Sequence, residues 1–386
     1  MKSLATLFRN NIRQYSMLFA LIAIMLFFQI VTDGTLMKPV NLTNLILQNS
    51  YIVAMAIGML LVIVAGQIDL SVGSVAAFTG AVAAVMMVEY EMNFILVIFI
   101  CLIIGALIGA AQGYLVSYQK VPSFIATLAG MLIFRGLTLV ILQGRSIGPF
   151  PTGFQKVSSG FLPDVFGGES LHITTIVIGV IISLIVVYLD FRSRQNKQKY
   201  GFEVSSMAVF VLKNAIIVGV ILYMSYLMAT YKGLPNVLVI LFALIVIYSF
   251  ITKQTVIGRR IYALGGNEKA AQLSGVNTKR LKFLTFANMG MLAALGGMII
   301  AARLNVATPK AGVGIELDVI AAVFIGGASA SGGIGTVIGA VIGALVMGVM
   351  NNGMSIVGIG IDWQQAIKGT VLALAVWFDV RNRDKA

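Results

Sequence analysis

Charge is scarce in this sequence, and acid is scarcest. Of 386 residues only 11% are charged, with 14 Asp and Glu against 27 Lys and Arg. A soluble domain of that length has too much surface to cover with so little polarity, which argues against an ordinary water-soluble fold. A single cysteine, Cys101, excludes a disulfide within the chain. The lone histidine, His172, lacks the partners that histidine sites need, so it reads as incidental and no metal site is expected. No lysine follows a glycine anywhere. The Gly-x-x-x-x-Gly-Lys-[Ser/Thr] phosphate loop is therefore missing, and with it that means of hydrolysing ATP on this chain.

What is present is hydrocarbon: 59% of residues are hydrophobic and the mean hydropathy is +0.97. A membrane-crossing helix needs about 20 apolar residues. Such runs are expected over 15–31, 44–65, 70–88, 94–117, 123–142, 172–190, 208–229, 236–251, 283–302, 317–331, 334–356 and 362–379. The first is too long and poorly flanked for a cleaved signal, so it reads as a span. The 41 glycines are scattered through these runs, as suits close-packed membrane helices. The expected fold is thus an all-α polytopic membrane protein of one domain, 1–386, with about 12 spans.

Twelve crossings put both termini on one side. Loops and tails on that side carry 19 Lys and Arg, and the opposite loops carry 6. By the positive-inside rule both termini are expected in the cytoplasm. The net charge of +13 then reports orientation, and a nucleic-acid partner is not expected.

Two distant segments read alike. "IDLSVGSVAAFTGA" from Ile68 and "IELDVIAAVFIGGA" from Ile315 share five of fourteen positions, with Asp69 opposite Glu316. "IGALIGAAQG" from Ile104 and "IGAVIGALVM" from Ile338 share six of ten, and "FRGLTL" from Phe134 faces "IKGTVL" from Ile367, aligning Arg135 with Lys368. The order is kept, and an odd number of crossings separates the copies. An inverted repeat is expected, with copies over about 44–142 and 283–379. The plainer account is a shared liking for small residues at helix contacts. About 172–235 has no counterpart and reads as a helix pair inserted into a core of about 10 spans. The outer stretch 143–171 is rich in Pro and Gly, and long ordered loops of this kind tend to be functional.

One polar stretch interrupts the hydrocarbon. Within 252–282, Asn267 is placed to cap a helix, Glu268 suits its positive end, and Gly275 supplies a stop. A helix of about two turns cannot hold itself in water. Its apolar face (Ala270, Ala271, Leu273) is expected to rest on something.

"AAQLSG" resembles the Ala-Ala-x-x-x-Gly core of the cytoplasmic coupling loop in ABC-importer permeases. "GRRIYALGGNEKAAQLSGVNTKR", "GQIDLSVG", "VPSFIATLAG" and "ELDVIAAVFIGGASASGG" resemble the ribose, xylose and galactose class of sugar permeases over nearly the whole chain. The inserted pair and the length are most similar to the xylose-type or multiple-monosaccharide permeases. One departure stands out: Lys269 separates Glu268 from Ala270, where many such loops read Glu-Ala-Ala.

The resemblance implies a type II ABC-importer-like permease in a bacterial inner membrane, present as two copies. It implies two separate ABC ATPase subunits that bind ATP and magnesium, a periplasmic sugar-binding protein outside, and a monosaccharide as cargo. No cofactor is expected on this chain, nor any catalytic residue. Arg259, Asn267, Glu268, Ala270, Ala271 and Gly275 are the expected coupling residues. Asn49, Gln67, Asp69, Ser71, Ser329 and Ser331 are pathway candidates, each serine having its own backbone as the alternative partner. Asp69 has helix capping as its alternative. Arg145, Lys156, Arg303 and Lys310 are docking candidates for an acidic receptor surface. Arg135 and Lys368, inside spans, are expected to pair structurally or to snorkel. The rival class is a proton- or sodium-driven sugar transporter, which would want acidic relay groups at mid-membrane; the acids here are expected in loops or near span ends.

Overall fold

The computed structural model describes residues 12–168, 171–202, 204 and 206–383. Of the basic residues in the two tails, Lys2, Arg9 and Lys385 lie outside that range. The described chain forms fifteen helices and no β-strand. A first helix, α1 (Ile12–Val31), leads to four that correspond to the first expected copy. These are α2 (Pro39–Val64), α3 (Val72–Glu89, closing in a π-helical turn), α4 (Phe94–Ser117) and α5 (Ser123–Leu142). A short α6 (Thr152–Ser159), the hairpin α7 (Ile173–Lys199) and α8 (Met207–Ala229), and α9 (Asn236–Gln254) follow. Two polar helices, α10 (Val256–Gly266) and α11 (Glu268–Leu273), then precede α12 (Thr278–Leu304), α13 (Ile315–Ile325), α14 (Val337–Val357) and α15 (Ile361–Arg383).

Among the described residues nine helices are long and apolar enough to cross a membrane: α2 to α5, α7 to α9, α12 and α14. α1, twenty residues long, covers the first expected run. Two of the other expected runs differ, each for a legible reason. α15 carries Asp362, Lys368 and Arg381 along its length. The run 317–331 yields only the eleven residues of α13, because Gly327, Gly332 and Gly333 take positive φ and end the helix. Eleven residues span about 16 Å, half a bilayer core.

Two ends of the bundle can be told apart by contact. At one end the Gly333 amide donates to the Val64 carbonyl, and the α4–α5 turn lines a cavity with the stretch after α10. At the other end Ile147 bridges to Ala307, Phe161 bridges to Pro235, and Arg145 pairs with Glu89. α2 therefore ends where α12 begins, so the two run antiparallel.

α2 is apolar all round and most of it is buried, which makes it the central helix. It packs on α12, α13 and α14, while α12 packs on α2, α3 and α4. The first helix of each expected copy thus lies against the second and third helices of the other. Small residues set the closest of these contacts. A Cβ on Gly109 would lie 2.1 Å from the Phe286 carbonyl oxygen, and one on Gly290 would lie 2.1 Å from that of Gly105. α7 and α8 pack mainly on each other and leave most of their surface bare, as befits lipid-facing helices. Within the outer stretch, α6 buries Phe154 beneath Phe150, and Asp164 staples the start of α7.

Candidate functional site

The polar stretch folds as a bracket on one end of the bundle. Thr255 caps α10, its hydroxyl accepting from the Gly258 amide at 3.1 Å. Asn267 caps α11, its Oδ1 accepting from the Ala270 amide at 3.0 Å. Gly275, with φ +81°, closes α11 while the Val276 amide donates to the Ala271 carbonyl. Only Ala271 faces the chain's own bundle. Ala270 is exposed and Leu273 is 90% exposed, so most of the expected apolar face rests on nothing in this chain. Glu268 pairs with Lys282 at 2.7 Å, which ties α11 to the start of α12, and Lys269 points outward. Arg259 is exposed on α10, its guanidinium 3.5 Å from the Gln254 carbonyl oxygen.

α10 connects that bracket to the membrane helices. A Cβ on Gly265 would stand 1.7 Å from the Val64 carbonyl oxygen and 2.5 Å from the Gly333 nitrogen. Three backbones meet there with no room for a side chain. The Tyr262 hydroxyl donates to the Gly335 carbonyl at 2.8 Å. α10 is thus packed directly against the end of α2 and the glycine-rich link between α13 and α14. The sequence reading singled out neither Tyr262 nor Gly265; close backbone approach has no sequence signature beyond glycine itself.

Both basic residues inside spans are paired through α13. Lys368 lies 2.9 Å from Asp318, and Arg135 lies 3.7 Å from Glu316. The two acids are buried in the first turn of α13, against the expectation that acids sit in loops or at span ends. The physical reason lies just upstream. The 305–314 stretch turns back into the bundle, bringing Gly312 against Gly73 and starting α13 inside it. Glu316 there lies against the first turn of α3, whose positive end favours a carboxylate.

The six pathway candidates are scattered. Asn49 is buried, donates to the Leu45 carbonyl at 2.8 Å and packs on Gly348. Gln67 lines the cavity beside Glu268 and Gln272. Asp69 is 1% exposed and accepts from the Ser71 amide at 2.8 Å and the Ser71 hydroxyl at 2.7 Å. It closes an Asx turn just before α3, whose N-cap, Ser71, has no side-chain cap bond, so Asp69 does not cap the helix itself. Gln112, not anticipated, meets Ser71 at 3.0 Å from α4. Ser329 and Ser331 lie 3.1 Å apart in the glycine-rich link, the first buried and the second exposed.

Of the docking candidates, Arg145, Lys156 and Lys310 are exposed at the end opposite α11, Arg145 paired with Glu89 at 3.0 Å. Arg303 is half-buried in the last turn of α12. Among the described residues no cluster of His, Cys, Asp and Glu is placed to hold a metal ion.

The family described as branched-chain amino acid transport system / permease component matches residues 41–376. A xylose transport system permease protein of Haemophilus influenzae, XylH, is 38% identical, covering 97% of this chain and 98% of that protein. The XylH of Escherichia coli is 39% identical over 96% and 92%. A ribose import permease protein of Haemophilus influenzae, RbsC, is 37% identical over 88% and 84%. No solved structure matches the chain. Its relatives are named as transport permeases rather than enzymes: the chain belongs to the branched-chain amino acid transport system / permease component family, as a multi-pass membrane permease of a bacterial transport system.

Proposed function

We propose that this permease is the membrane subunit of an ATP-driven importer of a xylose-type monosaccharide. Two copies would form the pathway in the inner membrane, with both termini in the cytoplasm. A periplasmic binding protein would deliver the sugar, and separate ATPase subunits would bind ATP and magnesium. The carrying observation is α11: a capped helix at the basic end of the bundle, presenting Leu273 to solvent on a chain without a phosphate loop. Arg259, Asn267, Glu268, Ala270, Ala271 and Gly275 build or flank that projection. The likeness to xylose permeases over nearly the full length supports the choice of sugar. Exposed Arg145, Lys156 and Lys310 at the far end support a docking role there. Gln67, partly exposed in the cavity beside α11, and Ser331, exposed in the glycine-rich link, are the accessible members of the pathway set, whereas Asp69 and Ser71 act as braces.

The inverted-repeat reading is supported by the exchange of packing partners between α2–α5 and α12–α15 and by the antiparallel course of α2 and α12. The glycines that align between copies are used differently. Gly105 and Gly109 meet α12, but Gly339 and Gly343 meet α13. An ion-driven mechanism would draw on Glu316 and Asp318, yet each already faces a cation.

The test is co-purification. The chain with its cognate ATPase should elute as one complex from detergent, and Leu273→Asp should release the ATPase while the permease stays folded. A complex that survives Leu273→Asp and Gly275→Asp alike would remove α11 from the interface.

A further inference from the structure

The inserted hairpin α7–α8 has no counterpart in either copy, and its far end is unlike the rest of the bundle. The apolar part of α7 gives way after Phe191 to "RSRQNKQK", which continues as helix for about 12 Å. One face of that extension carries Leu189, Arg192, Ser193, Asn196 and Lys197, at spacings that bring them in line. Tyr200 and Phe202 fold back from the turn to wall the face, leaving an open groove of about 350 Å³. The other cations are engaged elsewhere. Lys213 holds Asp190 at 2.8 Å, and the Arg194 guanidinium lies 5.3 Å from the centre of the Phe210 ring. Arg192, Lys197 and Lys199 make no ion pair or side-chain hydrogen bond among the described residues.

We propose that this groove binds the phosphodiester headgroup of an anionic phospholipid. Arg192 and Lys197 supply the charge, and Ser193 and Asn196 supply neutral donors. Tyr200 and Phe202, both exposed where the apolar part of α7 gives way to charge, are the kind of ring that favours a membrane interface. Leu189, Ile185 and Leu184 are exposed just beyond, a bare apolar track along which an acyl chain lies. The helix end itself does not attract an anion, because the C-terminus of α7 carries partial negative charge. The side chains must do so. Basic pockets beside membrane helices on this side are suited to acidic headgroups. The site needs only that α7 and α8 lie in a bilayer, and it stands whether or not the importer reading holds.

The full chain in neutral detergent would be titrated with phosphatidylglycerol or phosphatidylcholine, and its adducts counted by native mass spectrometry. Each membrane-surface cation is worth about five-fold in affinity, so the first phosphatidylglycerol should bind at least tenfold tighter than phosphatidylcholine. Arg192→Gln/Lys197→Gln should erase that preference, and Tyr200→Ala/Phe202→Ala should weaken it. Lys253→Gln/Lys279→Gln, an equal loss of charge at the same end, should keep it. The proposal fails if the first double variant retains the preference, or if the charge-matched control loses as much. It fails too if millimolar inorganic phosphate displaces the lipid, since the groove would then be a free-anion site. If the cations served only to offset the end of α7, their loss would lower thermal stability equally in both lipids.

Discussion

Lys368 and Asp318 illustrate what a single residue does inside this bundle. The ammonium sits 2.9 Å from the carboxylate, and both side chains are mostly covered. Removing one partner strands the other charge, whereas removing both does not. Lys368→Met should therefore destabilise the protein by about 2–3 kcal/mol, less than a fully buried pair, and Lys368→Met/Asp318→Asn should recover most of it. Thermal unfolding in detergent reads this. Outside the membrane, Asp164 accepts from the Thr174 hydroxyl, then the Thr174 amide and the Ile173 amide, which hold its carboxyl down at about 2. Its folded value lies below the ordinary ~3.9 of an aspartate, so its contribution is whole above about pH 4 and is lost as the pH falls through about 2. Amide exchange at Ile173 and Thr174 should stay protected at pH 4 and become fast in Asp164→Ala.

At the scale of the element, the proposed coupling makes α10 and α11 a lever, with Leu273 at its tip and Gly265 at its fulcrum. Gly275→Asp places a side chain at φ +81° and a charge beside the tip. Insertion should be unchanged and ATP-driven uptake should fall at least tenfold, about 1.4 kcal/mol of coupling. Gly265→Val leaves the tip intact but forces α10 off the Val64 carbonyl. ATPase binding should then survive while uptake is lost, which separates docking from transmission. Much of this lever was legible in advance: the cap at Asn267 and the stop at Gly275 follow from residue type alone. The exposure of Leu273 was not. A six-residue helix has too few positions to reveal which apolar residue faces the bundle. The depth of Glu316 and Asp318 was hidden for a different reason. Hydropathy sees their local neighbours, and the fold of 305–314 that carries them inward is a matter of glycine φ values and tertiary contact.

For the whole molecule, the class of fold follows from composition, and the aligned segments fall on α3, α4 and α5 and on α13, α14 and α15. The span count does not follow so directly, because α13 covers only part of the thickness and a run of glycines supplies the rest. Close packing makes the bundle intolerant of bulk. Gly290→Val would drive a side chain into the Gly105 carbonyl. It should cost about 1–3 kcal/mol or abolish monodisperse protein, as read by size-exclusion chromatography. The central claim, that this chain moves sugar only when driven by an ATPase at the α11 end, is tested most directly in proteoliposomes. Vesicles holding the permease, its ATPase and its binding protein should accumulate labelled xylose when ATP is on the ATPase side. Vesicles holding the permease alone should not, under any proton or sodium gradient. Gradient-driven accumulation by the chain alone would contradict the account.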